Sequence, residues 1–164
     1  MKEIKGKPLT EPCKIAIVTS RFNEKITQPL YEGTVERLKE LNVAPENITS
    51  VWVPGAVEIP VTAQHLAFTD EYVAVIALGA VIRGETTHYD YVCQQVSYGC
   101  QKVSLESEVP VIFGILTTEN SEQAFDRLGG AHGHKGHDCA EAAVEMVSVL
   151  QQIVMHGPLA LVED

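Results

Sequence analysis

Residues 77–90 of the chain, ALGAVIRGETTHYD, connect two predicted elements. They overlap residues 73–78 (VAVIAL), an uninterrupted apolar run that is typical of a parallel strand buried on both faces. We expect this strand to end at Gly79. Beyond Gly84, apolar residues recur at helical spacing between residues 89 and 103. The pattern therefore predicts a turn that leads from the carboxyl end of a buried strand into the amino terminus of a helix.

A polar cluster, Glu85, Thr86, Thr87 and His88, lies in this predicted turn. The unpaired backbone N–H groups and the dipole at a helix amino terminus favour an anion there. Taken alone, threonine at such a boundary is as typical of turn and cap chemistry as of a site, and one histidine is weak evidence. However, ligands of α/β proteins bind at the carboxyl ends of the strands. The combination favours a binding site.

Three further apolar runs resemble the first, at residues 14–19 (KIAIVT), 48–53 (ITSVWV) and 109–116 (VPVIFGIL). Each is followed by a helical pattern. Four buried strands that alternate with helices predict an α/β fold with a parallel sheet covered on both faces, a three-layer α/β/α sandwich with right-handed crossovers. We expect an amino-terminal arm at residues 1–12 and one domain at residues 13–164.

The composition excludes several classes of protein. With 12 Lys and Arg against 22 Asp and Glu, the net charge is -10, which disfavours nucleic acid and anionic membranes as partners. No apolar segment reaches the roughly 18 to 20 residues that span a bilayer, and no signal-peptide pattern is seen. We expect a cytoplasmic protein. Its four cysteines form no CxxC pair, so we expect buried free thiols within strands or helices.

Two other predicted turns each contain one residue that fits two different roles. The first turn, SRFNEKIT, lacks the glycines of a dinucleotide-binding site, which argues against a Rossmann cofactor. Its aromatic residue, Phe22, fits either the core or a stacking contact with a flat heterocycle. After the second strand, Glu58 fits either a helix-dipole interaction or a hydrogen bond to ligand hydroxyl groups.

The glycine- and histidine-rich residues 129–139 allow three interpretations. A Walker phosphate loop is rejected, because Lys135 is followed by Gly136 and not by Ser or Thr. Zinc ligation by the histidines and Cys139 is disfavoured because no second ligand pair is present, and we expect no metal site. A solvated loop that directs Lys135 at an anion is the favoured interpretation.

Five segments together resemble one family, the 6,7-dimethyl-8-ribityllumazine synthases. They follow the family's order and spacing over nearly the whole chain, and VPGAVEIP and RGETTHYDYV are its specific signals. The segments are residues 17–27 (IVTSRFNEKIT), 51–60 (VWVPGAVEIP), 77–92 (ALGAVIRGETTHYDYV), 109–127 (VPVIFGILTTENSEQAFDR) and 134–146 (HKGHDCAEAAVEM).

The resemblance implies a flavodoxin-like fold with a four-stranded parallel sheet of order 2-1-3-4. It also implies an enzyme of the transferase class that acts in the penultimate step of riboflavin biosynthesis. Such enzymes condense 5-amino-6-(D-ribitylamino)uracil with 3,4-dihydroxy-2-butanone 4-phosphate and release phosphate and water. They use no metal and no organic cofactor.

The resemblance further implies which residues bind the uracil substrate. The residue at Phe22 stacks on the pyrimidinedione ring. The ring and the ribityl chain are held by the residues at Ala56, Val57 and Glu58. The polar edge of the heterocycle contacts the backbone of Ala80, Val81 and Ile82.

Four residues are implied for the phosphate of the second substrate. Glu85 and Thr86 lie at the helix amino terminus, and Arg127 reaches across from a neighbouring subunit. Lys135 is an auxiliary positive charge. A helix amino terminus and a guanidinium together can hold a phosphate through charge-assisted hydrogen bonds.

His88 is implied as the proton-transfer residue, because an imidazole with a pKa near neutrality suits imine formation, phosphate elimination and ring closure. Phe113 is implied to come from a neighbouring subunit and to close over the ring. A monomer would then hold only part of a site. The resemblance accordingly implies a homopentamer or an icosahedral capsid of pentamers, with riboflavin synthase as a further partner.

Two positions depart from the family pattern. Ala80 stands where threonine is frequent, which removes a hydroxyl beside the ring. Glu85 replaces a small residue, and its carboxylate would repel phosphate unless it points outward or pairs with Arg83. Three alternatives remain open: a carrier of lumazine or flavin, a structural cage with a vestigial pocket, and the archaeal type of riboflavin synthase. The presence of His88 and Arg127 counts against the first two.

Overall fold

The computed structural model describes residues 1–155, and strands and helices alternate along them as the apolar runs predict. Helix α3 starts at His88, one residue before the helical spacing predicted from residue 89. The elements in chain order are β1 (Ile15–Ser20), α1 (Glu24–Glu40), β2 (Ile48–Val53), α2 (Ile59–Ala67), β3 (Ala74–Ile82), α3 (His88–Ser107), β4 (Val111–Thr118), α4 (Ser121–Asp126), β5 (Leu128–Gly130), β6 (Gly133–His134) and α5 (Lys135–Met155).

Strands β1 to β4 form a parallel sheet of order β2-β1-β3-β4. The predicted flavodoxin-like α/β fold with order 2-1-3-4 is therefore confirmed. Ile15 of β1 is in register with Ile48 of β2 on one side and with Ala74 of β3 on the other. Because all four strands run in one direction, their carboxyl ends meet at one edge of the sheet.

The two faces of the sheet carry separate apolar cores. Alternate residues of a strand point to opposite faces, so neighbouring residues of β1 enter different cores. One core packs against α1 and α5 and contains Ile17, Leu30, Ile76, Leu78 and Val147. The other packs against α2 and α3 and contains Val18, Ile59, Val75, Val96 and Ile115. Both layers of helices predicted from the sequence are present.

Strand β3 is longer than the sequence predicts. It passes through Gly79 and ends at Ile82, because Gly79 pairs with Ile115 and the ladder continues to Ile82 beside Thr118. The glycine accommodates a close approach and does not form a turn: a Cβ at this position would lie 3.0 Å from the Oγ of Ser20. Strand β4 begins at Val111, two residues later than predicted, since Pro110 has no N–H to donate to a ladder.

The segment after α4 also differs from the prediction. Residues 128–134 form a two-stranded antiparallel hairpin of β5 and β6, and α5 begins directly at Lys135. Gly129 and Gly133 have φ values of 103° and 70°, which residues with a side chain rarely adopt. These values let the chain turn tightly. The predicted solvated loop is therefore an ordered hairpin, and Lys135 lies on a helix.

All four cysteines are free, as expected, but they are not all buried within elements. Cys13 precedes β1 and is half-buried, and Cys93 of α3 is also half-buried. Burial raises the pKa of Cys100 and of Cys139 to about 11, so both thiols are protonated at neutral pH. They act as small apolar side chains within the two cores.

Residues 1–12 contain no helix or strand and contact α5. The backbone N–H of Lys7 donates to the Oγ of Ser148 (2.9 Å), and the Nε2 of Gln152 donates to the carbonyl of Lys5 (2.7 Å). The last nine residues of the predicted domain, 156–164, lie outside the described part. Among the described helices, none is long and apolar enough to cross a membrane.

Gly114→Ala tests the packing between β4 and α5. An added Cβ would lie 2.7 Å from both the Sγ of Cys139 and the Cδ2 of Leu78, so we expect overpacking to lower the free energy of unfolding by about 1 to 3 kcal/mol. Thermal unfolding at one fixed protein concentration measures the change. Gly84→Ala is the control, because its Cβ would meet nothing within 4 Å. Equal stability of the two variants would contradict the expectation.

Candidate active site

A cavity of about 400 Å³ lies at the carboxyl edge of the sheet. Its walls come from the residues after β1 and β2, from the last residues of β3 and from the start of α3. The wall residues are Phe22, Asn23, Gly55, Ala56, Val57, Ala80, Val81, Ile82, Gly84, Thr86, His88, Tyr89 and Val92. The predicted ligand edge of the fold thus contains a concave site.

The cavity brings together eight of the thirteen residues predicted for the site, drawn from segments up to 66 positions apart in sequence (Phe22 to His88). The eight are Phe22, Ala56, Val57, Ala80, Val81, Ile82, Thr86 and His88. Five predicted residues do not line it: Glu58, Glu85, Phe113, Arg127 and Lys135. Sequence reasoning assigned no role to the remaining wall residues, Asn23, Gly55, Gly84, Tyr89 and Val92.

Phe22 follows β1 and is 72% exposed, so it is not a core residue. Its backbone N–H donates to the carbonyl of Pro54 (3.0 Å), and the N–H of Arg21 donates to that of Val53 (2.8 Å). These bonds extend the pairing of β1 with β2 and set the aromatic ring beside the turn that carries Ala56. An exposed ring at a cavity wall suits stacking on a flat heterocycle.

Asn23 fixes the turn between β1 and α1 against β3. Its φ of 62° lies in the left-handed region, which asparagine tolerates better than most residues. Its Nδ2 donates to the carbonyl of Ala80 (2.9 Å), the position where the family often has threonine. The signal available in the sequence was an asparagine placed between a strand and a helix, which is typical of a left-handed turn residue.

Glu58 ends the short 3-10 turn Ala56–Glu58, and its side chain is close to the cavity without lining it. A Cβ at Gly55, which does line the cavity, would lie 3.0 Å from the Oε2 of Glu58. The carboxylate is exposed. It can therefore complement the start of α2 or accept hydrogen bonds from a ligand at the cavity rim, and the two roles predicted from the sequence are compatible.

His88 is the first residue of α3 and is exposed at the cavity. The backbone N–H of His88 donates to the Oγ1 of Thr86 (3.3 Å), and no side chain caps the helix. The amino terminus of α3 therefore leaves N–H groups for an anion at the place where the sequence predicted a phosphate.

Arg83 and Glu85 do not form the ion pair considered from the sequence. Arg83 instead pairs with Glu119, with 2.7 Å between Nε and Oε2, and with Asp90, with 3.3 Å between Nη1 and Oδ1. Glu85 is exposed and lies outside the cavity wall. The other condition named from the sequence was that Glu85 points outward. Because its carboxylate does not line the cavity, this arrangement is compatible with a phosphate beside Thr86.

Three predicted residues lie away from the cavity of their own chain. Phe113 is 37% exposed on the edge strand β4. Arg127 follows α4, and its Nη1 donates to the carbonyl of Gln123 (2.8 Å). The backbone N–H of Lys135 donates to the carbonyl of Arg127 (2.8 Å), which joins the start of α5 to the end of α4. Within the described residues, no Lys or Arg side chain lines the cavity.

Two histidines stack where the hairpin meets α5. The rings of His134 and His137 lie 4.4 Å apart at 16°, and the His134 ring packs against Gly33. Burial, and secondarily the neighbouring His137, lowers the pKa of His134. In residues 1–155, no three His, Cys, Asp or Glu side chains are arranged to hold a metal ion.

The fold and the cavity define a flavodoxin-like α/β protein with a candidate site at the carboxyl edge of its sheet. A sequence model of the 6,7-dimethyl-8-ribityllumazine synthase family matches residues 12–151. The chain belongs to the 6,7-dimethyl-8-ribityllumazine synthase family, which confirms the resemblance found in its sequence.

Curated relatives carry the same name. The chain is 58% identical over 140 residues to the 6,7-dimethyl-8-ribityllumazine synthase of Coxiella burnetii strain Dugway 5J108-111, and this match covers 85% of the chain and 93% of the relative. The enzymes of strains CbuG_Q212 and RSA 493 are 59% identical with the same coverage. The relatives thus correspond to the chain over most of its length.

The lowered pKa of His134 predicts a pH-dependent stability. Between the ordinary histidine pKa of about 6.5 and the lower folded value, the unfolded chain binds more protons, so the free energy of unfolding decreases as pH falls below about 6.5. We expect His134→Gln to reduce this decrease, measured by unfolding on either side of about pH 6.5. The exposed His65→Gln variant is the control. The same pH dependence in both variants would refute the role of His134.

Proposed function

We propose that this protein is a 6,7-dimethyl-8-ribityllumazine synthase, a transferase that condenses 5-amino-6-(D-ribitylamino)uracil with 3,4-dihydroxy-2-butanone 4-phosphate. Phosphate and water are released in this penultimate step of riboflavin biosynthesis. Membership of the family supports the activity. The observation that carries the proposal is the cavity, where an exposed aromatic ring, Phe22, shares one wall with His88 at a helix start.

The uracil substrate binds along the wall formed by β1, β2 and β3. Its ring stacks on Phe22, and the backbone of Ala80, Val81 and Ile82 offers hydrogen bonds to the polar edge of the heterocycle. The largely apolar wall excludes water from the ring. Ala56 and Val57 contact the ring and the start of the ribityl chain, and the exposed Glu58 accepts hydrogen bonds from ribityl hydroxyl groups.

The butanone phosphate binds at the amino terminus of α3, beside Glu85 and Thr86. Backbone N–H groups there hold the phosphate. The cations are Arg127 and the auxiliary Lys135 of a neighbouring subunit. Support for a neighbour's contribution comes from the described chain itself, in which both cations and Phe113 lie outside the cavity.

The condensation then proceeds through three chemical steps within the cavity. The 5-amino group attacks the butanone carbonyl and forms an imine with loss of one water, phosphate is eliminated to leave an enol that tautomerises to a ketone, and the ribitylamino nitrogen attacks this ketone and closes the second ring with loss of a second water. His88 transfers protons among nitrogen, carbon and oxygen in these steps. Holding the two substrates in register contributes roughly 7 to 11 kcal/mol in favourable systems. No electrons enter or leave overall, so the condensation needs no redox cofactor, and the family resemblance implies no metal or organic cofactor.

The enzyme works as a homo-oligomer, a homopentamer or an icosahedral capsid of pentamers. Exposed apolar side chains along α3 and β4 support an interface on this face: Tyr91, Tyr98, Leu105 and Phe113. Residues 1–12 form an arm and residues 13–164 the enzyme domain. A cytoplasmic location and association with riboflavin synthase follow from the family resemblance.

Formation of lumazine tests the activity. Mixing the purified protein with both substrates should produce the absorbance and fluorescence of the lumazine product.

We expect His88→Ala to lower kcat by about a hundredfold to ten-thousandfold without abolishing turnover, since positioning of the substrates remains. Arg127→Ala should raise KM for the butanone phosphate. Tight binding of lumazine by correctly assembled protein that forms none would show a carrier, and conversion of lumazine to riboflavin would show a riboflavin synthase.

Complementation between two impaired variants tests the shared site. If each cavity uses His88 of one subunit and Arg127 of the next, mixed oligomers of His88→Ala and Arg127→Ala contain some sites with both native residues. Unfolding and refolding the two variants together should therefore restore part of the activity, measured against each variant refolded alone. No recovery in confirmed mixed oligomers would mean that both residues serve one cavity of the same chain.

A further inference from the structure

We propose that Arg83 is a positioning residue, whose guanidinium joins the ends of β3 and β4 to the first turn of α3 and so directs His88 into the cavity. The inference rests on the proposed function of His88. It assigns to Arg83 no contact with substrate.

The connection that carries His88 has few contacts of its own. Residues 83–88 are all exposed, and a Cβ added at Gly84 would meet nothing within 4 Å. Thr87 precedes the helix without capping it through its side chain. The local bonds are those of His88 N–H to Thr86 (3.3 Å) and of Asp90 N–H to the carbonyl of Thr87 (3.0 Å). Residues 83–88 therefore need contacts from other elements to keep His88 in one orientation.

Arg83 supplies these contacts through its backbone and its guanidinium. Its backbone N–H donates to the carbonyl of Thr118 (2.9 Å), which continues the pairing of β3 with β4. Its Nε donates to Glu119 after β4 (2.7 Å), and its Nη1 donates to Asp90 of α3 (3.3 Å). The guanidinium also lies over the ring of Tyr89, with Cζ 4.3 Å from the ring centroid. Both helix residues directly after His88 are thus held.

The planar guanidinium suits this task better than an ammonium group would. It offers several donors in a fixed fork and a face that stacks on an aromatic ring, so one side chain can engage two carboxylates and Tyr89 together. Exposed ion pairs stabilise a fold only a little, because water and salt screen the charges. The position that these ion pairs give to His88 matters more here, because a misplacement of about 1 Å at a reacting group can lower a rate by about a hundredfold.

A direct role of Arg83 in phosphate binding fits the structure less well. Both of its carboxylate partners would have to give up the guanidinium, and Arg83 is not among the residues that line the cavity, whereas Tyr89 is. The side chain is therefore assigned to the support of the α3 terminus.

The experiment compares Arg83→Met with Arg37→Met, each in the native and the His88→Ala background. Arg37 is a matched control: its side chain is 32% exposed against 38% for Arg83, and it also pairs with two carboxylates, Glu40 and Glu141, but on α1 and α5. Steady-state kinetics with both substrates and the size of the assembled protein are measured for every variant.

We expect Arg83→Met to lower kcat by about tenfold to a hundredfold with little change in KM for the butanone phosphate, and Arg83→Lys to recover only part of the loss. In the His88→Ala background, the same substitution should have no further effect. Hydrogen exchange of residues 84–92 should be faster in Arg83→Met and unchanged in Arg37→Met.

Two results would overturn the proposal. One is an equal loss of kcat with and without His88, which would show a structural effect independent of the histidine. The other is a raised KM for the butanone phosphate at unchanged kcat, which would make Arg83 a phosphate ligand.

If Arg83→Met does not assemble, Glu119→Gln replaces it, since this variant weakens one ion pair and leaves Arg83 in place. A fewfold loss of kcat that vanishes without His88 supports the proposal, and an unchanged kcat refutes it. Failure of the proposed function would appear separately, as the absence of lumazine formation by the unaltered protein.

Discussion

The parallel pairing of β3 with β1 and β4 is the constraint on which the rest of the molecule depends. β3 is buried on both faces over its first seven residues, so it cannot shift without exposing both apolar cores. Parallel strands must end at the same edge, and this brings the turns after β1, β2 and β3 together. Phe22, Ala56 and His88 are distant in sequence and share one cavity for this reason.

Much of this arrangement could be predicted from the residues alone. The run IAIVTS carries its strand identity locally, because β1 is buried along its whole length. The run ITSVWV was also predicted to be a buried strand, but it forms the edge strand β2, where only Val53 is buried. The position of α3 followed from helical spacing beyond Gly84, to within one residue of its start at His88. Most of the cavity wall, from Phe22 to His88, could be named only through the family resemblance, since from the residues alone the role of Phe22 stayed open and Ala80 had none. The side of the sheet that binds ligand follows from strand direction.

Other features depend on contacts that no local pattern encodes. Gly79 resembles a turn residue in sequence, yet it lies inside β3, where it pairs with Ile115 and Ser20 approaches it closely. Residues 128–134 were too polar and glycine-rich to indicate a hairpin, whose pairing depends on backbone conformation at Gly129 and Gly133. The partners of Arg83 come from the ends of two other elements, so the sequence could suggest Glu85 but could not reveal Glu119. Asn23 was likewise visible only as a turn residue.

The environment of the cysteines has a consequence for the chemical durability of the protein. Oxidants and electrophiles attack the thiolate form, and a pKa of about 11 leaves only about one thiol in ten thousand ionised at pH 7 for Cys100 and Cys139. Burial also raises the pKa of the half-buried Cys13 and Cys93. The interior sulfur atoms are thus shielded both from contact and by protonation. Oxidation and disulfide exchange at Cys100 and Cys139 should accordingly be slow in the folded protein.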